Sequence, residues 1–183
     1  FSGLIATNPD KFTISYIGTL SDSYPIEGLL KGLNMLNEKK TDFRLKFVGM
    51  VSARQKENIL SSQSGSKAEF FQYADHQTVI SHLLGSTALL LIIPDHQSNK
   101  SIITGKLFEY LASGKPVICI GPADGDAALI LENSGHGKCF EYDDSDGIGK
   151  FILDLFHNPA VLTKAPPAEF SRKSLAMKMA SLL

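Results

Sequence analysis

Leu89–Pro122 reads L-L-L-I-I-P-D-H-Q-S-N-K-S-I-I-T-G-K-L-F-E-Y-L-A-S-G-K-P-V-I-C-I-G-P. Its branched apolar opening, Leu89 to Ile93, has the continuous pattern of a strand buried on both faces, and Pro94 stops it. A polar loop from Asp95 to Lys100 follows. Thr104-Gly105-Lys106 then opens a short amphipathic helix with Leu107, Phe108 and Leu111 toward a core. Gly114 is expected to close that helix, because the residue past a helix end often takes positive φ, which glycine adopts freely. Lys115-Pro116 leads into a second buried strand, Val117 to Ile120, which ends at Gly121-Pro122. Strand, loop, helix and strand in this order make a βαβ unit, so the two strands are expected to lie parallel and adjacent.

The same alternation continues on both sides. On the amino side the pattern predicts strands at Thr13–Ile17, Phe43–Val48 and Glu69–Tyr73. A helix from Pro25 carries Ile26, Leu29, Leu30, Leu33 and Leu36 at helical spacing and ends in Lys39-Lys40. A polar helix covers Ser52–Ser64, and a third, N-capped by Asp75, presents Val79, Ile80, Leu83 and Leu84. On the carboxyl side, Gly125-Asp126 leads a helix with Ala128, Leu129 and Ile130 inward. Lys138–Tyr142 is a sixth strand, and Gly147–Phe156 a helix preceded by acids that suit its positive end. Residues 1–11 read as a linker, residues 12–165 as one domain, and residues 166–183 as a terminal helix, Ser171–Leu182, after the Pro166-Pro167 break. Six alternations predict a Rossmann-like, doubly wound parallel sheet with helices on both faces.

Composition narrows the function. A chain of 183 residues that is 43% hydrophobic supports one core rather than two α/β domains. Eighteen basic against 19 acidic residues, with no basic run, argue against nucleic acid as a partner. No apolar run reaches the length of a membrane span. Phe1 is not an initiator methionine and no signal peptide is visible, so the chain is expected to be a segment of a longer, cytoplasmic protein. Cys119 and Cys139 fall in predicted strands as buried thiols. The five histidines, His76, His82, His96, His136 and His157, lack metal-ligand spacing, so no metal is expected. G-x-S-x-G, P-loop and G-x-G-x-x-G signatures are absent, which removes the motifs of hydrolases, P-loop NTPases and dinucleotide oxidoreductases.

The residues that could carry chemistry gather at the carboxyl ends of the strands, the edge where open α/β sheets bind ligands. Thr104 and Gly105 stand at a helix N-terminus, which favours anions, and Lys106 adds a charge. Thr104 could equally serve as that helix's cap. Glu109, one turn on, could accept hydrogen bonds from a ligand or form an i,i+3 surface pair with Lys106. Asp124-Gly125-Asp126 is explained by a turn and a helix start.

The segment T-G-K-L-F-E-Y-L-A-S-G-K-P-V-I resembles the donor-site helix of retaining GT-B glycosyltransferases, the E-x7-E family of group 1 glycosyl transferases. Glu109, Gly114, Pro116 and Val117 match the family's second glutamate and the Gly-x-Pro-Val that follows. The first glutamate falls at Ser101. The resemblance implies the carboxyl-terminal, nucleotide-sugar-binding half of such an enzyme, with the amino-terminal acceptor domain absent. Catalytic residues would then lie largely in that missing domain, which would also make any contact with the inner face of a membrane. The resemblance further implies that Glu109 binds the donor ribose, with Thr104, Gly105, Lys106, Ser101, Gly18 and Thr19 around the sugar and phosphates and no metal cofactor. The family's usual arginine after the first strand and lysine early in the next helix are replaced by Gly18-Thr19-Leu20 and Ile26-Glu27-Gly28, so Lys100 could supply replacement charge. A nucleotide-sugar epimerase of the same architecture and a degenerate, non-catalytic nucleotide-sugar-binding module are the alternatives, and a receiver-like domain lacks its paired acids.

Overall fold

The computed structural model describes residues 10–72 and 75–158. Most of the expected linker, Tyr73, and the terminal helix Ser171–Leu182 lie outside the described residues. Six strands, β1 (Phe12–Ile17), β2 (Phe43–Val48), β3 (Ala68–Phe71), β4 (Ala88–Ile92), β5 (Val117–Ile120) and β6 (Gly137–Phe140), form one sheet in the order β3-β2-β1-β4-β5-β6. Every pairing is parallel. The expected neighbours meet in register, Leu89 opposite Val117 and Ile92 opposite Ile120. The helices are α1 (Glu27–Glu38), α2 (Ala53–Ser61), α3 (His76–Leu84), α4 (Gly105–Ser113), α5 (Asp126–Ser134) and α6 (Ser145–His157).

Strand periodicity sorts the core into two layers. Ile14, Tyr16, Leu90, Ile92, Ile118 and Ile120 face α1, α2 and α6, with Leu29, Leu33, Ile59, Ile148 and Ile152 against them. Ile17, Leu89, Leu91, Val117 and Cys119 point the other way, onto Leu83, Leu107, Leu111 and Leu131 of α3, α4 and α5. The two thiols, Cys119 and Cys139, are buried opposite each other on β5 and β6. Asp75 caps α3 by accepting from the Thr78 amide, and Gly114 takes φ 69° after α4, as the sequence predicts.

Boundaries differ where side chains compete with the backbone. α2 stops at Ser61 instead of Ser64, because the Ser62 hydroxyl bonds the Ile59 carbonyl and a 3-10 turn follows at Gly65–Lys67. On α5 the buried residues are Ala127, Ala128 and Leu131, while Leu129 is 57% exposed. Ala128 is inward as expected and Ile130 packs partly buried against the core, so of the expected three only Leu129 turns away, since three consecutive residues sweep about 200° of a helix. α1 ends at Glu38, and Lys40 takes φ 53° so that the Thr41 amide can reach the Leu36 carbonyl. A lysine there is strained where glycine is not. Lys40→Gly is therefore expected to stabilise the domain by about 0.5–1 kcal/mol, measured as a higher urea midpoint. A lower midpoint would contradict that geometry.

Candidate functional site

β1 leads to β2 on one side and β4 continues to β5 on the other, so the strand order reverses between the parallel neighbours β1 and β4. Crevices for ligands open at such switch points, outside the carboxyl ends of the strands. The exits of β1 and β4 and the start of α4 meet here. The β1 exit is a tight turn: Gly18 has φ 128°, its amide donates to the Val48 carbonyl, and Leu20 bridges to Val51. The β4 exit runs through Asp95 and a 3-10 turn, Asn99–Ser101, before α4. That loop is anchored by Tyr142, whose hydroxyl bonds the carbonyls of Ile93 (3.1 Å) and Pro94 (3.2 Å) and accepts from the Asn99 amide group (3.1 Å).

Lys106 turns back from the first turn of α4 to the β1 exit. Its ammonium donates to the Tyr16 hydroxyl at 3.2 Å and lies 4.7 Å from the centre of that ring. The side chain fills the space that a Cβ on Gly18 would need. Burial holds its pKa below the ordinary lysine value, partly offset by Glu109. Lys106 makes no ion pair with Glu109 among the described residues, so the alternative of an i,i+3 surface pair is not realised. Glu109 is exposed, with its carboxylate in solvent one turn beyond Lys106.

Thr104 occupies the N-cap position of α4, yet its hydroxyl makes no capping bond and is buried without a partner among the described residues. The alternative of a Thr104 side-chain cap thus fails, and the first two amides of α4 have no hydrogen-bond partner among the described residues, as at a free helix end. Gly105 is exposed with open space where a Cβ would stand. Ser101 and Thr19 are exposed at the rim. Gly18, Thr19, Thr104, Gly105 and Lys106 are therefore brought to one place, with Glu109 and Ser101 on the same edge.

Neither of the other positions considered for charge supplies a free cation. Lys100 is taken by Asp124 at 2.5 Å, and this pairing raises the lysine pKa and lowers that of the acid. It does not supply free charge, and Asp124 is accounted for by the same pair. Glu27 folds back so that its carboxylate accepts the Ile26 amide at 3.0 Å, placing negative charge at the start of α1. A concavity of about 210 Å³ beside α5 is lined by Asp124, Asp126 and Glu132, which repel an anion. His96 is exposed in the β4 exit loop.

Sequence reading missed two tyrosines. Tyr110, on α4, accepts the Ile17 amide at 3.1 Å and donates to the Ile17 carbonyl at 3.4 Å, pinning the helix to the β1 exit. Tyr16 donates to the Thr19 carbonyl at 2.6 Å. Burial raises both phenol pKa values, so both stay neutral. The available signal was a polar-tipped aromatic at a core-facing position. Chemically, the site offers one half-buried ammonium, a free helix N-terminus and a glycine turn to an anion, and an exposed carboxylate to hydroxyl donors.

A family model described as glycosyl transferases group 1 matches residues 5–173. No curated protein matches the chain. Among solved structures, sucrose-phosphate synthase from Thermosynechococcus elongatus superposes with TM-score 0.73 at 16% identity, covering 94% of this chain and 45% of the synthase. The C-terminal domain of LpcC, a glycosyl transferase group 1 family protein from Francisella tularensis, gives 0.64 at 15%, covering 94% and 88%. The pneumococcal O-GlcNAc transferase GtfA, solved with UDP and GlcNAc, gives 0.69 at 14%, covering 96% and 35%. At these identities the likeness shows the fold, and the chain spans less than half of the synthase and of GtfA.

Proposed function

The chain belongs to the group 1 glycosyl transferases, and from that premise we propose that it is the donor-binding half of a two-domain retaining enzyme. It takes a nucleoside diphosphate sugar, whose sugar passes to an acceptor held by an amino-terminal domain. The observation that carries this reading is Lys106, a half-buried ammonium with no ion-pair partner among the described residues, beside the uncapped start of α4.

The residues divide the donor between them. Diphosphate oxygens meet Lys106 and the amides of Gly105 and Lys106, with Gly18, Thr19 and the unpaired Thr104 hydroxyl around them. Glu109 accepts from the ribose hydroxyls, and Ser101 adds a neutral donor where the family's first glutamate would stand. Charge developing on the departing diphosphate is stabilised by donors already in place, which need little reorganisation. Fixed charge does this work, so we assign no metal to the donor site. We place the enzyme in the cytoplasm, with any membrane contact made by the acceptor domain.

Titration calorimetry with UDP tests the reading. Saturable binding that survives EDTA is expected, with no sugar transfer by the isolated domain, because acceptor and closed cleft are absent. Glu109→Ala removes charge-assisted hydrogen bonds of about 1.5–3 kcal/mol each, so UDP affinity should fall roughly tenfold or more. The carboxylate is exposed and unpaired, so the melting temperature should hardly change. A 2′-deoxy diphosphate should bind the parent more weakly and lose most of that discrimination in the variant. Equal affinity of parent and Glu109→Ala for UDP would remove Glu109 from the site.

A further inference from the structure

A half-buried ammonium is normally held by a carboxylate, which also cancels its charge. Here it is held by an aromatic ring. The Lys106 ammonium lies 4.7 Å from the centre of the Tyr16 ring and 3.2 Å from its oxygen. Tyr16 is 1% exposed and cannot swing away with its ligand. Its proton is committed to the Thr19 carbonyl at 2.6 Å, so the remaining lone pairs face the lysine as acceptors. A ring face and a neutral oxygen attract a cation while leaving its net charge intact.

We propose that Tyr16 is a positioning residue: it holds the Lys106 ammonium over the Gly18 turn without neutralising it, so that α4 delivers a charge to an anion lying across β1. This inference rests on the donor-site reading above and extends it to how the cation is presented. The hydrogen bond from Tyr16 to Thr19 also ties that charge to the backbone of the β1 exit, so the lysine and the turn amides move as one unit. The charged group that acts on Lys106 is Glu109, on its own helix. From β1 it meets Tyr16, which burial keeps neutral.

The test combines Tyr16→Phe, Lys106→Met and the double variant, with UDP as probe and the ¹³Cε resonance of Lys106 as a second readout. In the parent, Lys106 should titrate below the exposed lysines. UDP affinity should fall as pH rises through that midpoint, because the charged form is lost there. Tyr16→Phe keeps the ring but removes the acceptor that favours the ammonium. The Lys106 midpoint and the alkaline limb of UDP binding should therefore both move to lower pH, with affinity at neutral pH reduced about threefold to tenfold, as for loss of one hydrogen bond. In the Lys106→Met background the same change should have almost no effect on UDP affinity. A tyrosine that merely supports the core would weaken binding equally at every pH and in both backgrounds, and that result overturns the proposal.

The two hypotheses fail separately. A parent that binds no nucleoside diphosphate ends the donor-site reading and, with it, any role of Tyr16 in presenting charge to UDP. A parent that binds UDP while Tyr16→Phe leaves the Lys106 midpoint unmoved ends only the positioning role. If Tyr16→Phe does not fold, the parent decides alone: a Lys106 side chain whose ¹³Cε resonance is averaged like those of the exposed lysines overturns the held ammonium, and a ring-shifted resonance of restricted mobility supports it.

Discussion

Lys106→Met is expected to lower UDP affinity by roughly 10-fold to 100-fold, the loss of one charge-assisted contact of about 1.5–3 kcal/mol. Methionine keeps the length and most of the apolar stem that packs across Gly18, so the change removes charge rather than shape. Stability should move the other way. Burial depresses the folded-state pKa of Lys106 below that of the unfolded chain. The desolvation penalty is complete below the folded pKa and disappears above the unfolded one, so it burdens the native state at neutral pH. Removing the ammonium relieves it, and the variant should melt no lower than the parent. Such opposition between stability and function is expected of a charge retained for a ligand. Parallel calorimetric titrations and melting curves measure both quantities. A variant that binds UDP like the parent, or that binds less only because it is partly unfolded, would remove Lys106 from the anion site.

The framework of this site was legible in the chain because it depends on short-range chemistry. Pro94, Gly114 and Gly121 punctuate β4, α4 and β5 where the sequence places them, and apolar runs on either side leave few alternatives to a parallel sheet. Thr104, Gly105 and Lys106 could be assigned to a helix start for the same reason. Partner choice was not legible, since it depends on residues brought together by the fold. Lys106 had a glutamate three positions away, yet its ammonium reaches Tyr16, ninety positions earlier in sequence. Lys100 had no local partner and is taken by Asp124. Glu27 stands where the family resemblance leads one to expect a lysine, and only the structure shows the carboxylate satisfying the Ile26 amide at the start of its own helix. Exposed faces were also ambiguous. Ala127 and Leu131 form the inward stripe of α5 with Ala128, but the hydrophobic run 128–130 draws the eye to Leu129, which faces solvent.

Gly28→Ala is expected to destabilise the domain by about 2 kcal/mol or more, from overpacking partly offset by alanine's better helix propensity. Gly28 lies where α1 crosses α6, and a Cβ there would overlap the Tyr142 carbonyl oxygen, part of the backbone leading from β6 into α6. The same crossing continues at Gly32 and Gly149: a Cβ on Gly32 would stand 2.7 Å from the Ser145 carbonyl, and one on Gly149 2.7 Å from the Gly32 carbonyl. Backbone cannot retreat as a side chain can, so one helix must slide. At roughly 2–4 °C per kcal/mol for a domain of this size, the melting temperature should fall by about 4–8 °C. The sign is the informative part. In a loosely packed helix the same substitution would stabilise by up to about 1 kcal/mol, so a higher melting temperature would refute the close crossing. The crossing also reaches the site. Tyr142, whose carbonyl rests on Gly28, uses its hydroxyl to hold Ile93, Pro94 and Asn99 at the exit of β4. Displacing that backbone should loosen the loop that carries Ser101 and leads into α4. Gly28→Ala should therefore weaken UDP binding several-fold even at temperatures where the variant is fully folded, although Gly28 is not among the residues assigned to the donor.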